Sequence, residues 1–266
     1  MNIVYIEKMD IKNILIVVVI IVLLYYLLRY VFSDVHTLTN VASGTTIQKI
    51  AASSLSQGNV ANSSNFTYSI WFYINDWNYK YGETKVLYGR MGQLSNSSKT
   101  TAQSIVQSDP CPAVILGAIE NNLSVALTCY PGTASALTNE DITTDTGSVV
   151  HTCNVSNVPI QKWVNLLVSV YGRTLDLYLD GKLVKTCVLP GVAKINQDAD
   201  VFVTPLGGFS GWTAKFQYYP NSTDPQTAWN IYKKGYGSSW LSNMFGKYQI
   251  KIEFSNNGTE TGSITI

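Results

Sequence analysis

From Ile14 to Leu28 the chain runs through fifteen residues of Ile, Val, Leu and Tyr without a charge, and from Asn13 to Phe32 Arg29 is the single charge in twenty. Twenty helical residues span about 30 Å, the thickness of a bilayer's hydrocarbon core. Tyr25, Tyr26, Arg29, Tyr30 and Phe32 gather at the C-terminal end, where rings and a snorkelling guanidinium suit headgroup depth, and Lys8 and Lys12 flank the other end. The pattern predicts a transmembrane anchor over residues 1–36, with the bilayer contacted through residues 13–32. A cleaved signal peptide would have a shorter apolar region with a small-residue site close behind it, whereas the nearest such site lies around Val41 to Ser43. Lys8 and Lys12 favour a cytoplasmic N-terminus, so the rest of the chain is expected outside the cytoplasm or facing a shell around an internal membrane, a weak bias against Glu7, Asp10 and Arg29.

Residues 37–60 are Ser, Thr, Asn, Ala and Gln with isolated aliphatics and read as a linker: a stalk, or an irregular stretch lying against the domain. Period two then takes over. Phe66, Tyr68, Ile70, Phe72 and Ile74 alternate with Thr67, Ser69, Trp71 and Tyr73, which makes one face wholly apolar. Further strand-like runs are Lys85 to Tyr88, Ala113 to Ile119, Leu123 to Cys129, Val149 to Val155, Trp163 to Tyr171, Thr174 to Leu179, Lys182 to Val188, Ala199 to Val203 and Trp212 to Tyr219. Many short strands between Gly, Pro and Asn predict an all-β, antiparallel sandwich over residues 61–240. Asp180-Gly181 is a type I′ hairpin signal that sets Leu177 opposite Val184 and Asp176 opposite Lys185. A second hairpin is expected over residues 241–266, completing or extending the sandwich. Its two-residue Asn257-Gly258 turn would pair Ile250 with Thr265, and a three-residue loop would pair Ile250 with Ile264; the latter is preferred because it collects the apolar residues on one face. One short helix is expected, with Asp224 as its cap, Pro225 first, Ala228, Ile231 and Tyr232 as its apolar stripe and Gly235 just past its end.

Charged residues are only 13% of the 266, with net charge +1, and basic residues are spread along the chain. No basic run exists to neutralise a phosphate backbone, which excludes nucleic acid as a partner. The deficit persists beyond the anchor, and a surface of Asn, Ser, Thr and Tyr suits lasting contact with neighbours or sugars.

Three stretches together resemble the laminin-G-like branch of the concanavalin A-like lectin and glucanase superfamily: NFTYSIWFYINDW from Asn65 to Trp77, WVNLLVSVYGRTLDLYLDGKLVKTCVLP from Trp163 to Pro190, and GGFSGWTAKFQYYPNSTDPQTAWNIYKKG from Gly207 to Gly235. The segments NNLSVAL at Asn121 and YYPNSTDPQTAWNIY at Tyr218 are similar to the version of this module found in membrane and virion proteins of large DNA viruses of algae and protists. The resemblance implies a jelly-roll sandwich and, in that setting, a virion structural protein linking membrane and capsid. The alternative is a membrane-anchored lectin for host or surface glycans. Where many relatives carry an Asp-Glu pair, this chain has Ala214 and Lys215, which puts a site dependent on that pair in doubt.

The residues give little purchase for catalysis. A glucanase needs carboxylates spaced along one strand face, and no E-x-D-x-E run occurs. Gly208-Phe209-Ser210-Gly211 ends in Trp212 where a nucleophile elbow needs Gly. The chain is therefore expected to be no enzyme and to use no cofactor. Asp198 and Asp200 offer a weak Ca²⁺ candidate against a solvated turn, and the cysteines and histidines lack zinc spacing. Four cysteines beyond a membrane segment favour disulfides in one of three pairings; Cys129 with Cys153 closes the loop between adjacent strands and is preferred, leaving Cys111 with Cys187. Four reduced apolar thiols are the alternative. Sequons begin at Asn62, Asn65, Asn96, Asn122, Asn154, Asn221 and Asn257, usable only if the domain enters the secretory lumen. Trp71, Trp77, Tyr79 and Tyr81 form one aromatic cluster and Trp212, Tyr218 and Tyr219 another; Trp77, Tyr79, Tyr81 and Trp212 are the candidate ligand or partner aromatics, set against ordinary core and rim packing, while Phe66, Ile70, Phe72, Trp163 and Leu177 are read as core.

Overall fold

A computed structural model of the chain describes residues 15–16, 18–20, 22–24, 26–27, 36–55, 63–91, 109–132, 141–143, 147–237, 251–256 and 259–265. The described positions between Leu15 and Leu27 are helical with exposed apolar side chains, and among the described residues no helix is long and apolar enough to cross a membrane. The other positions of the expected anchor lie outside the described residues.

Residues 36–238 form one compact unit. Its strands are β1 (Ala42–Ser43), β2 (Gln48–Ile50), β3 (Phe66–Asp76), β4 (Lys85–Arg90), β5 (Ala113–Leu116), β6 (Leu123–Cys129), β7 (Ile142–Thr143), β8 (Val149–Val155), β9 (Trp163–Tyr171), β10 (Thr174–Leu179), β11 (Lys182–Val188), β12 (Val201–Val203) and β13 (Ser210–Tyr219). They make two antiparallel sheets, one in the order β1-β13-β3-β9-β10-β11 and one in the order β2-β12-β4-β5-β6-β8-β7. The chain is therefore a β-sandwich, and β6, β8, β9, β10 and β11 occupy the stretches that alternation marks out.

Between the sheets lies one hydrophobic core. Phe66, Tyr68, Ile70, Phe72 and Ile74 of β3 meet Leu116, Leu123, Val125 and Leu127 of the facing sheet, all at most 2% exposed. Each such side chain contributes about 1.5–3 kcal/mol by leaving water. Arg90 is also buried, its Nε donating to the Ala199 carbonyl at 3.1 Å and its Nη2 to that of Gln197 at 3.1 Å, with Tyr68 and Cys111 close by. These bonds satisfy part of the guanidinium's donor set where water cannot.

Residues 37–55 lie against the domain rather than forming a stalk, and they do so partly as regular strands. Thr37 bridges to Gln217, β1 pairs with β13, β2 pairs with β12, and Ile50 and Leu55 enter the core. Composition concealed this because each strand is two or three residues long and borrows its partner from distant sequence.

The Asp180-Gly181 turn has both residues at positive φ, 49° and 73°, and pairs Leu179 with Lys182 as that turn requires. Beyond it the register differs from the expected one. A bulge at Val184 places Leu177 opposite Lys185 and Asp176 opposite Thr186, whose hydroxyl donates to the Asp176 carboxylate at 2.6 Å. Because side chains alternate, that one extra residue moves Cys187 to the rung of inward-facing Leu175. There it meets Cys153 of β8 in a disulfide joining the two sheets, with Cα atoms 6.1 Å apart. The expected pairing of Cys129 with Cys153 is thus replaced. In the β6–β8 ladder Cys129 lies opposite Val149, four residues from Cys153, or about 13 Å along the strand. Cys111 and Cys129 are buried free thiols.

The short helix α1 (Pro225–Lys233) forms as read, with the Asp224 carboxylate accepting from the amides of Gln226 and Thr227 at 2.9 and 3.0 Å. It lies on the outer face of the six-stranded sheet, where Ala228 and Ile231 pack on Leu167 and Tyr178. Gly181 is required beneath it, since a Cβ there would meet Trp229 and Tyr232 at 2.9 Å.

In a separate unit, β14 (Lys251–Asn256) pairs with β15 (Thr259–Thr265) as its own two-stranded sheet. Asn256 pairs with Thr259, then a bulge shifts the ladder so that Ile252 pairs with Ile264. Neither expected register survives whole, because both assumed an unbroken ladder.

Replacing Cys153 with Ser is expected to lower unfolding stability by about 2–4 kcal/mol through loss of the crosslink. Non-reducing peptide mapping of the native chain should return a Cys153–Cys187 peptide and free Cys111 and Cys129. Recovery of a Cys129–Cys153 peptide would contradict the fold.

Candidate functional site

The outer face of β3 presents Thr67, Ser69, Trp71 and Tyr73, and it divides in two. At one end Thr67 donates to Ser169 at 3.2 Å, Thr223 bonds Thr67 at 2.9 Å, and Asn165 donates to Ser69 at 3.1 Å. All four residues of this polar ladder from β3 and β9 are buried, which explains how a face that reads as solvent-exposed can be covered.

The other end is aromatic. Trp212 of β13 meets Tyr73 of β3 edge-on at 5.6 Å, and Tyr73 meets Trp163 of β9 at 5.8 Å. Trp163 stacks on Tyr236 at 4.4 Å and 14°, and Tyr236 contacts Trp71 at 5.7 Å. Trp71 in turn stacks on Tyr232 of α1 at 5.5 Å, and Tyr232 touches Trp229 at 5.3 Å. Seven rings thus form an unbroken ladder from β13 across the sheet to the helix. Such contacts add about 0.5–1.5 kcal/mol per pair beyond burial.

Local structure sets each ring. Gly211, at φ 153°, lets β13 approach so closely that a Cβ there would strike the Tyr73 carbonyl, and this seats Trp212 beside Tyr73. After α1, Gly235 turns the chain at φ 72° and its carbonyl accepts Lys215 Nζ at 3.2 Å, which directs Tyr236 back onto Trp163. Trp71 is buried, whereas Trp212, Trp229 and Tyr236 stay between 39% and 44% exposed. The buried Trp71 Nε1 has no hydrogen-bond partner among the described residues. The ladder is a rigid, weakly charged surface that can offer ring faces and edges to a partner.

Of the aromatics marked from sequence, Trp71 and Trp212 belong to it. Trp77 donates from Nε1 to the Ile119 carbonyl at 3.0 Å and lies 5.0 Å beneath Lys85 Nζ; Tyr79 donates to the Gly207 carbonyl at 3.0 Å. Both are engaged in holding their loop, while Tyr81 projects into solvent. Tyr73 was legible as an outward position of β3, whereas Trp163, expected in the core, is instead half-buried on the outer face against Tyr73 and Tyr236. The stacking of Tyr236 carried no local signal.

Asp200 is held by Lys49 Nζ at 2.8 Å and by the Ala52 amide at 2.8 Å, and the Lys49 hydrogen bond, first among these, lowers its pKa. Asp198 instead lines an open polar cleft of about 430 Å³ with Asp109, Lys194 and Asn196. The two carboxylates therefore have different partners, and among the described residues no three His, Cys, Asp or Glu side chains converge as a metal site. His151 and Asp141, 2.6 Å apart and buried, tie the end of β8 to the segment before β7. Among the sequons, Asn154 and Asn221 are exposed, and Asn65 accepts the Gly172 amide at 2.8 Å. Asn62, Asn96 and Asn257 lie outside the described residues.

No family model matches the chain, and no curated protein matches it. Among solved structures it is similar to the receptor-binding domain of botulinum neurotoxin D (12% identity, 74% of this chain and 44% of that one, TM-score 0.49) and to that of the C/D mosaic serotype (12% identity, 75% and 43%, TM-score 0.47). It is also similar to a serotype D ligand-binding domain in complex with N-acetylneuraminic acid (12% identity, 73% and 46%, TM-score 0.44). The chain spans about half the length of these proteins or less. This likeness carries no argument about ligand or activity, and the β-sandwich rests on the strand order itself.

Trp71→Ala is expected to destabilise the domain by about 3–5 kcal/mol, and Trp212→Ala by far less because its ring is partly in water; urea unfolding of both variants checks the ranking. Burial pushes the Cys111 thiol up to about 12 and the Tyr68 and Tyr88 phenols above their ordinary 10.0. Folded values above unfolded ones mean stability is full below pH 9.0 and falls as the pH rises through the folded values. Urea midpoints should therefore drop on the alkaline side, and a rise there would refute the burial of these groups.

Proposed function

We propose that the protein is a non-enzymatic, single-pass membrane protein that displays its β-sandwich to a neighbouring protein, docking through the aromatic ladder of the six-stranded sheet. One observation carries this reading: seven rings in contact, three of them more than a third exposed, on a domain poor in charge. Interface cores are enriched in Trp and Tyr and depleted of Lys, Glu and Asp. The exposed apolar side chains at the described positions from Leu15 to Leu27 support the anchor. The resemblance to laminin-G-like modules of large DNA viruses supplies the setting: a virion component between membrane and capsid.

A second reading, glycan binding, is favoured by the exposed indoles of Trp212 and Trp229 at the two ends of the ladder, since an indole face can stack on a sugar ring. One experiment separates the two. A photo-crosslinking amino acid placed at Trp212 or at Tyr81 of the full chain is irradiated in purified particles. Docking predicts crosslinks to capsid protein from position 212, few from position 81, and a fixed stoichiometry to capsid protein. Absence from particles, together with reproducible glycan-array binding that Trp212→Ala weakens at least tenfold (about 1.4 kcal/mol), would replace docking with the lectin.

A further inference from the structure

We propose that β11, at the open margin of the six-stranded sheet, receives an extended segment of a partner protein in which acidic and apolar residues alternate. This second surface does not rest on the docking role of the aromatic ladder.

Sheet order isolates the strand. The margins of the two sheets are β1, β2, β7 and β11, and the first three are only two or three residues long. β11 has seven residues, and among the described residues no strand pairs with its free side. A strand so placed offers unpaired backbone donors and acceptors to any chain that can lie beside it.

Register shows which groups are offered. The Leu189 amide donates to the Arg173 carbonyl at 2.8 Å, so that rung beside the β10–β11 ladder is hydrogen-bonded. In an antiparallel pair, bonded and non-bonded rungs alternate. Val188 opposite Thr174 and Thr186 opposite Asp176 therefore turn their backbone N–H and C=O away from β10, toward the open margin. Among the described residues no backbone bond outside the ladders takes up these groups.

Side-chain direction divides the strand into two rows. Leu175, Leu177 and Leu179 of β10 point into the sandwich, and Cys187, Lys185 and Lys182 stand opposite them. The bulge at Val184 puts Lys182 and Lys185 on one face although they are three residues apart. Leu183 and Val188, 49% and 69% exposed, stand on the other face with Thr186. Both lysines are exposed, and neither has an ion-pair partner among the described residues. The neighbouring carboxylates are already engaged, Asp180 by Lys162 and Asp176 by Thr186.

These rows specify the occupant. A strand added alongside sets alternate side chains beside Lys182 and Lys185 and the others beside Leu183 and Val188. Carboxylates suit the first row and aliphatic side chains the second. A second copy of the chain is a poor fit, because two β11 strands laid antiparallel bring their lysines together on one face, where like charges repel. Lysines and a bulge thus guard the margin against indiscriminate pairing while leaving it open to an acidic strand. Main-chain bonds would hold such a strand, and its alternate side chains would select it.

The test uses the full chain in detergent micelles and a fluorescent, acetylated octapeptide that alternates Glu and Val, with binding read by anisotropy. Saturable binding is expected. The double variant Lys182→Glu, Lys185→Glu should weaken it at least tenfold and create binding to a peptide that alternates Lys and Val. In an antiparallel addition the valines sit opposite Thr186 and Val188, so methylating the Val amide nitrogens should abolish binding while methylating those of Glu leaves it nearly unchanged. The methylated peptides report on the wild-type chain, which keeps the test decisive should the double variant fail to fold. No binding, binding indifferent to which amides are methylated, or binding unchanged by the charge reversal overturns the proposal. Slow hydrogen exchange at the Thr186 and Val188 amides of the peptide-free chain also overturns it, because the margin would then already be covered by a second copy or by the chain itself.

Discussion

Everything in this domain depends on strand β3 being covered on both faces. Its even-numbered side chains fill the space between the sheets, and its odd-numbered ones lie under α1, the Thr223 loop and the aromatic ladder. A strand at the centre of a half-solvated sheet would hold one apolar and one wet face. Here Thr67, Ser69 and Trp71 are as buried as the core beneath them. The six-stranded sheet is thus a middle layer, and what covers it outside is polar at one end and aromatic at the other.

That outer layer gives the fold its functional face. The helix is short, and in water a helix of nine residues would not persist alone. It is held by its Asp224 cap, by Ala228 and Ile231 against the sheet, and by Tyr232 on Trp71. The turn at Gly235 then returns Tyr236 to Trp163. Rings fixed by several neighbours lose little conformational entropy when a partner arrives, which favours such a surface for lasting association.

The disulfide shows how a single backbone irregularity propagates. Without the bulge at Val184, Cys187 would share a rung with Thr174 and face outward, away from Cys153. With it, the two sheets are joined at their β8 and β11 margins. Sequence spacing directed attention to Cys129 and Cys153 because they border one loop, but loop closure says nothing about which face a cysteine occupies. The same blindness applied to Trp77 and Tyr79, whose position in a loop suggested availability while their polar atoms were engaged by the carbonyls of Ile119 and Gly207.

By itself the sequence determined the class of the fold, the limits of β6, β8, β9, β10 and β11, the Asp180-Gly181 turn and the capped helix. Each of these is written in local alternation, turn chemistry or capping, and so is complete within about ten residues. Tertiary structure alone decided that residues 37–55 are strands and core rather than a stalk, that Cys153 finds Cys187, and that Trp71, Tyr73, Trp163, Trp212, Trp229, Tyr232 and Tyr236 become one surface. These depend on pairing between residues as far apart as Thr37 and Gln217, and on a bulge that inverts side-chain direction. Period and propensity fix which way a residue faces on its own strand, whereas its neighbours are chosen by the energy of the assembled sheets.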